Sequence, residues 1–599
     1  MKKRKLKKLL AMFLTVSMIA VTAGCSNSSA TGSDETSGEE QSGESVDETA
    51  GTDETKNVDA PQYGGTLTVV NAVASREEPS WDVAEASSVS SQWYLSPVEE
   101  SLMEGDVLGK GPRGTNENAY NIFQAEVSDS LLVGALVESW DYTEEPLGVT
   151  LKVRPGVYWQ ANDNIGMAAR EVTAEDIAYH INRYRTSSKA SKMEGWTDEN
   201  PAQVVDDSTV FVSFTKPFAS WAFVIGYALY NNVYPEEMVN ANPNQWTSVV
   251  GTGPFAISSY TEASNANYTK NENWRLSGQV INGETYEAPF VDQLVLPIMP
   301  DESVQISALR TGQVDIMTSV NIMYKETLES SCPGLNIIEA ASGSAYNLRF
   351  NSTNGPCANL DFRRALMIGT DNETLAATFD GAVMGGYPYS YSLGESIYTP
   401  INELPDDVKK LYDYDPDLAI SMLEEGGFTG ETMVLNYIST DTTAATVAEF
   451  LADQWSKLGL NVQLNVVDSA VYASYDTGDG TGWSGALIKT GGNSKTSRGI
   501  ENSRNFAYLS AYTDETFNQM MDEMMAETDI TKREALIKEA AVYFIGTVDE
   551  FGLFETTTLN CWWPWVKNYY GESDAGCFNM SQMFGTAWID QELKESMGY

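Results

Sequence analysis

Val447-Ala448-Glu449-Phe450-Leu451-Ala452-Asp453-Gln454-Trp455-Ser456-Lys457-Leu458-Gly459-Leu460-Asn461-Val462-Gln463-Leu464-Asn465-Val466 changes its hydrophobic period halfway along. Val447, Phe450, Leu451, Trp455 and Leu458 recur three and four residues apart, the spacing of one helix face, and Gly459 stops the run. Leu460, Val462, Leu464 and Val466 then alternate with polar residues, the spacing of a half-buried strand. A helix handed directly to a strand is an αβ unit, and it sets the fold class as mixed α/β.

Other segments agree. Gly65–Val70 is β-prone, Val149, Leu151 and Val153 alternate before a Pro155-Gly156 turn, and Val210, Val212 and Phe214 repeat the pattern. Asp415 is placed to cap a helix that has Pro416 at its first position, Ala419, Ile420 and Leu423 on one face, and Gly426-Gly427 at its end. The stretch from Thr513 to Phe544 reads as two helices with Met520, Met521, Met524 and Met525 in the core. No internal repeat of fixed period is visible.

The amino-terminal residues have a different job. Lys2, Lys3, Arg4, Lys5, Lys7 and Lys8 precede a low-polarity run from Leu9 to Val21, long enough for a secretory signal but short of the roughly 20 residues that span a bilayer. Ala23-Gly24-Cys25 closes the run and resembles a bacterial lipobox, in which Cys25 becomes the lipidated first residue; Thr22 stands where such boxes usually carry Leu or Val. Residues 26 to 59 are almost wholly Ser, Gly, Thr, Glu and Asp, which builds no core and reads as an extended acidic tether. The expected location is the extracytoplasmic face of the cell membrane.

Lys and Arg number 37 against 84 Asp and Glu, a net charge of −47 that argues against a nucleic-acid partner. The remaining residues are too many for one core, so two or three lobes are expected. His180 is the only histidine, which excludes two-histidine zinc sites. It falls on a helix capped by Thr173 with Asp176 three positions on, at the edge of the stripe Ala174, Ile177, Ile181 and Tyr184, and reads as a structural residue. Gly482-Trp483-Ser484-Gly485-Ala486 fails the nucleophile-elbow pattern at its last position, and no Walker-type loop is present. No catalytic residue, metal ligand or cofactor is assigned. Asp476-Thr477-Gly478-Asp479-Gly480 lacks the further ligands of a calcium loop and reads as a surface loop. Cys332 with Cys357 and Cys561 with Cys577 are candidate bridges among three possible pairings, with buried free thiols as the alternative.

An ordered series of motifs resembles one family nearly end to end. Gly64-Gly65-Thr66-Leu67-Thr68-Val69 is similar to the first strand of family 5 extracellular solute-binding proteins, the oligopeptide, dipeptide and nickel receptors of bacterial ABC importers. Leu136–Trp140, Val149–Trp159, Val172–Asp176, Gly251-Thr252-Gly253-Pro254-Phe255, Asn273-Trp274, Ala308–Ile316, Phe350-Asn351, Asp361–Leu366, Tyr414-Asp415-Pro416 and Pro564–Lys567 resemble its later landmarks in the same order.

The resemblance implies a type II periplasmic-binding-protein fold. Lobe I would comprise residues 63–114, 250–343 and 554–599, an inserted sublobe 115–249, and lobe II 344–553; the chain crosses twice between the lobes, which makes a hinge. It implies a monomeric receptor, not an enzyme, that closes on a solute and delivers it to an ABC permease and ATPase. In peptide-binding members an aspartate pairs with the ligand's α-ammonium; here Asn493 occupies its place and Thr490 that of a neighbouring tryptophan. A neutral amide cannot neutralise an ammonium. A peptide is the first expectation for the solute and an oligosaccharide the second, with Trp81, Trp93 and Trp483 among the 14 tryptophans placed near the cleft. A surface hydrolase on the same tether, or a purely adhesive protein, are the competing classes.

Overall fold

A computed structural model describes residues 60–85, 88–109, 127, 131–187, 201–218, 221–227, 231–281, 283–384, 398–477, 480–492, 514–573 and 575–599. Its principal sheet has eleven strands among the described residues: β1 (Thr66–Asn71), β2 (Phe255–Thr261), β3 (Asn265–Lys270), β4 (Gln293–Pro297), β5 (Ile316–Asn321), β6 (Asn336–Phe350), β7 (Val383–Met384), β8 (Thr432–Ile438), β9 (Asn461–Val467), β10 (Ala486–Gly492) and β11 (Glu550–Trp562). Their order is β2-β3-β4-β1-β5-β11-β6-β10-β8-β9, with β7 alongside β11. β1 runs parallel to β4 and β5, and β8 parallel to β9 and β10, while β6 and β11 are antiparallel to each other and join the two halves.

The buried apolar residues divide at those two strands. A first core gathers residues from Leu67 to Cys332 and again from Leu559 to Ile589. A second runs from Leu348 to Ile488 and again from Ile545 to Phe554. A separate four-stranded sheet, Val137–Glu144, Leu147–Val153, Thr209–Ser213 and Ala202–Asp206, packs its Val149, Leu151, Val210 and Val212 into the first core.

The opening αβ unit forms as helix Thr442–Lys457, capped by Asp441, followed by β9. Val447, Leu451 and Trp455 are buried, but β9 is the sheet's outer strand, so Leu464 and Val466 are 42% and 54% exposed. An outer strand has a neighbour on one flank only, so its faces are less covered than those of the strands inside the sheet. Helix Pro416–Glu425 has Asp415 as cap and Pro416 in its first turn, and Thr513–Phe544 resolves into helices Glu515–Ala526 and Ile530–Thr547.

Each half carries its own buried ion network. Near the first core, Arg275 Nε bonds Glu100 at 2.9 Å and its other arm bonds Glu104, with all three side chains at most 7% exposed. Against the second, the fully buried Arg349 bonds Glu550 and Asp476, and Lys489 Nζ lies 2.8 Å from Asp476 and 3.4 Å from Glu550. This corrects the surface-loop reading of residue 476: Asp476 lies on helix Ser469–Thr477 and faces inward because two buried cations on β6 and β10 need counter-charge.

His180 is buried, with Nε2 2.8 Å from Asn231 Oδ1. Burial pushes its pKa down to about 4, so the imidazole is neutral at physiological pH. Thr173 and Asp176 form a reciprocal capping box at the start of that helix. All four body cysteines are free and buried, which removes both candidate bridges: Cys332 belongs to the first core and Cys357 to the second, and Cys561 and Cys577 remain separate thiols.

Candidate functional site

Where β6 and β11 pass from one core to the other, their ladder breaks. Ala341 pairs with Thr557 and Ala345 with Glu555, so three residues of β6 stand opposite one of β11. Such a bulge interrupts pairing and bends the strand locally. The sequence across the break is Ala340-Ala341-Ser342-Gly343-Ser344-Ala345 on one strand and Thr556-Thr557-Thr558 on the other. Ser342 Oγ and Thr556 Oγ1 share a 2.6 Å hydrogen bond across it.

A cavity of about 730 Å³ opens over this crossing. Val73, Arg76, Glu302, Ser319, Asn321, Ile322, Met323 and Phe578 line it from the first core's side, and Tyr346, Thr378, Phe379, Asp380, Thr443 and Thr490 from the second's, with Ser342 and Thr556–Thr558 as floor. Its size suits a small organic solute.

Local sequence fixes each wall. Asn71 ends β1, and its Oδ1 accepts from the N–H groups of Val73 and Ala74 at 3.0 and 2.9 Å while its Nδ2 donates to Thr318, which turns Val73–Arg76 toward the cavity. Arg76 and Glu302 pair at 3.3 Å. Val73 and Met323 are 51% and 65% exposed, apolar surface left facing the opening. Across the cavity, Phe379 and Tyr346 both stack on Phe554, with ring centroids 4.7 and 5.1 Å away. Tyr346 Oη donates to the Asp441 carboxylate at 3.1–3.2 Å; burial first, and then that carboxylate, push the phenol up to about 12, so it stays a hydroxyl. The turn after Phe379 is tied to the floor: Thr557 Oγ1 donates to the Gly381 carbonyl, and Gly381 adopts φ +67°, with the space for a Cβ limited by Thr557 at 3.0 Å and Ile322 at 3.3 Å.

The lining is mainly hydroxyls, three aromatic rings and few charges. It offers donors and acceptors for a polar solute, and among the described lining residues there is no histidine or cysteine. Among the described residues no group of three or more His, Cys, Asp and Glu side chains is arranged to hold a metal ion.

Of the residues singled out in the sequence, Trp81 is 5% exposed and sits edge-on to Tyr260 at 5.0 Å, and its backbone N–H donates to Asn244 Oδ1. Trp93 is fully buried against Phe584 at 5.7 Å. Trp483 stacks on Tyr475 at 5.6 Å in a small cluster with Tyr472 and Leu487. The structure does not bring the three together, and none is among the residues lining the cavity. Asn493 and Cys25 lie outside the described residues, although Thr490, three positions before Asn493, lines the cavity. Tyr346, Phe379, Asp380, Thr443 and the Thr556–Thr558 run were not legible as site residues; the threonine triplet facing a small-residue stretch 214 positions earlier is the signal that marks them.

A family model described as "Bacterial extracellular solute-binding proteins, family 5 Middle" matches residues 132–498. Heme-binding protein A of Haemophilus influenzae is 23% identical, over 73% of this chain and 81% of its own length. The dipeptide-binding protein of Escherichia coli is 22% identical, over 73% of this chain and 85% of its own. Among solved structures, HbpA2 from Haemophilus parasuis superposes with a TM-score of 0.69 at 17% identity, covering 88% of this chain and all of that one.

Proposed function

Because the chain belongs to the family 5 bacterial extracellular solute-binding proteins, we propose that it is the receptor of an ABC importer for a peptide, captured in the cavity over the β6–β11 crossing. The observation that carries this is the pair of long strands running beneath that cavity from one core to the other, with their ladder broken at the passage. The two cores are the bodies of two lobes, residues 63–114, 250–343 and 554–599 with the inserted sublobe 115–249, and residues 344–553. They rotate about Ala341–Ala345 and Glu555–Thr557. A solute drives closure only by touching both walls better when they are near, as a guest between Asn321 or Ser319 and Thr443 or Thr490 does.

The peptide assignment is supported by the match to the dipeptide-binding protein and by a lining of hydroxyls able to pair with amide groups. The protein turns over nothing: its role ends with handing the solute to a permease and ATPase. A lipid on Cys25 and the acidic tether hold the monomeric receptor at the outer face of the membrane. No helix among the described residues is long and apolar enough to cross one.

Small-angle scattering and intrinsic tryptophan fluorescence, recorded with pooled peptides and pooled oligosaccharides, test the proposal. It expects a saturable change with peptides. No change with any pool would sink the receptor reading, and a response to sugars alone would replace the peptide by an oligosaccharide.

A further inference from the structure

Helices Glu515–Ala526 and Ile530–Thr547 form a hairpin with a small core of its own, in which Phe517, Met521 and Met524 meet Ile537, Ala541 and Phe544. Its root is tied to the second body. Arg363 Nη2 donates to the Thr547 carbonyl at 2.7 Å and Arg364 Nη2 to that of Gly546 at 2.8 Å, just before the chain enters β11. Its tip reaches the other way. The turn from Met525 to Arg533 faces Leu132, Trp140, Tyr142 and Trp221 across a cavity of about 320 Å³. Leu132 and Trp221 are members of the first core, and Trp140 and Tyr142, on strand Val137–Glu144, pack against it. Met525 packs on the hairpin's own core and on the first core alike. A second cavity, of about 610 Å³, lies behind the hairpin, between its Met520, Val542 and Tyr543 and the second body's Leu360 and Val408. An element held at its root and flanked by open space shifts at lower cost than one packed on every side.

We infer that the hairpin tip is a latch on closure: Met525 and Ile530 grip the Trp140–Trp221 wall while the bodies are together, and the strength of that grip sets the closed fraction before any solute arrives. The inference rests on the two-body reading above and goes beyond it, because it adds a third tie to the two hinge strands. Rotation about Ala341–Ala345 and Glu555–Thr557 carries the hairpin's root with one body and the tryptophan wall with the other, so the tip has to release or slide. The facing surface suits that. Trp140 and Trp221 meet at 6.2 Å with their planes 69° apart, and Leu132, Ala222, Met525 and Ile530 extend the apolar patch. Apolar contact is non-directional and re-forms without aligning donors and acceptors. Arg533, 6% exposed, closes the turn itself, its Nη1 donating to the Glu527 carbonyl at 3.1 Å. A receptor whose competent state is only a fraction of the population has its intrinsic Kd divided by that fraction, so the latch tunes affinity without touching the solute.

The test is double electron–electron resonance on the full chain in a Cys25→Ser background, with spin labels on Val304→Cys and Leu418→Cys reporting the separation of the bodies. This parent is compared with Met525→Ser and Ile530→Ser at the tip, and with Met520→Ser, which lines the rear cavity of the same hairpin and not the cavity at the wall. Without solute, the inference expects both tip variants to shift the closed-to-open ratio at least threefold toward open, while Met520→Ser keeps the parent's distribution. A lowered thermal midpoint in Met520→Ser with an unchanged distribution separates lost hairpin packing from a lost latch. Tip variants with the parent's distribution, or Met520→Ser opening as far as they do, overturn the inference and leave the receptor reading standing. A parent whose distribution neither pooled tripeptides nor pooled oligosaccharides change overturns the receptor reading, and the solute-free comparison still decides the latch.

Discussion

Strands β6 and β11 carry two kinds of side chain along their length. At Arg349 and Glu550 they bury a charge pair completely, extended by Asp476 and Lys489; a few residues away, at Ser342 and Thr556, they hold neutral hydroxyls over a broken ladder. A buried ion network fixes its surroundings, because any rearrangement that parts its members strands a charge in a poor solvent. Hydroxyls exchange partners with water or a solute at little cost. Under the function proposed above, the contrast divides the work: each body would keep its shape, and the passage between them would bend and offer polar groups to a guest.

Breaking the locked end is expected to have the largest effect. Arg349→Met removes the closest counter-charge of the buried Glu550 and should cost about 3–5 kcal/mol, read as a lower midpoint in urea or thermal unfolding. A loss under about 1 kcal/mol would mean that the network relaxes and the comparison fails. Next is the buried His180. Its folded pKa of about 4 lies below the ordinary 6.5, so the unfolded chain binds a proton that the folded chain does not as pH falls through that window. Stability from this group is therefore present above pH 6.5 and lost toward pH 4, by roughly 3 kcal/mol in the limit. In His180→Gln, the stability curve should be flatter between those pH values; an unchanged acid slope would assign the loss elsewhere.

The soft end is probed by smaller changes. Gly381→Ala places a Cβ at 3.0 Å from Thr557 and forces φ +67° on an L-residue, which should cost about 1–2 kcal/mol and weaken solute capture together. Thr557→Val removes one hydroxyl contact to the Gly381 carbonyl and should cost only about 0.5–1 kcal/mol in stability. If that variant instead destabilises as much as Arg349→Met, the passage is as locked as the bodies it joins.

Much of the architecture was readable from periodicity and caps. The Thr173–Asp176 box, Asp415-Pro416 and the switch of period at Gly459 each state a local preference that the fold keeps. The burial of β9 was not readable, because alternation records which residues share a face and says nothing of what covers it. The inward face of Asp476 is hidden from the sequence for the same reason: an Asp/Gly-rich string looks solvated until Arg349 and Lys489, distant from it along the chain, are known to lie beneath it. The cavity was the least legible part. Its walls come from residues between Val73 and Phe578, and Ser, Thr and Asn are so common on surfaces that only the fold shows which of them face one another.

The central claim, that the two bodies close about the broken ladder onto a solute, is tested most directly by a distance across the opening. Val304 and Leu418 are exposed, at 53% and 40%, on helices Glu302–Arg310 and Pro416–Glu425, which pack with the first and second core, and the four cysteines among the described residues are buried, so with Cys25 replaced by Ser, cysteines placed at these two positions take spin labels selectively. Double electron–electron resonance with and without saturating pooled tripeptides should show a changed, narrower distance distribution when solute is added. An identical distribution under binding that native mass spectrometry confirms would contradict closure at this hinge.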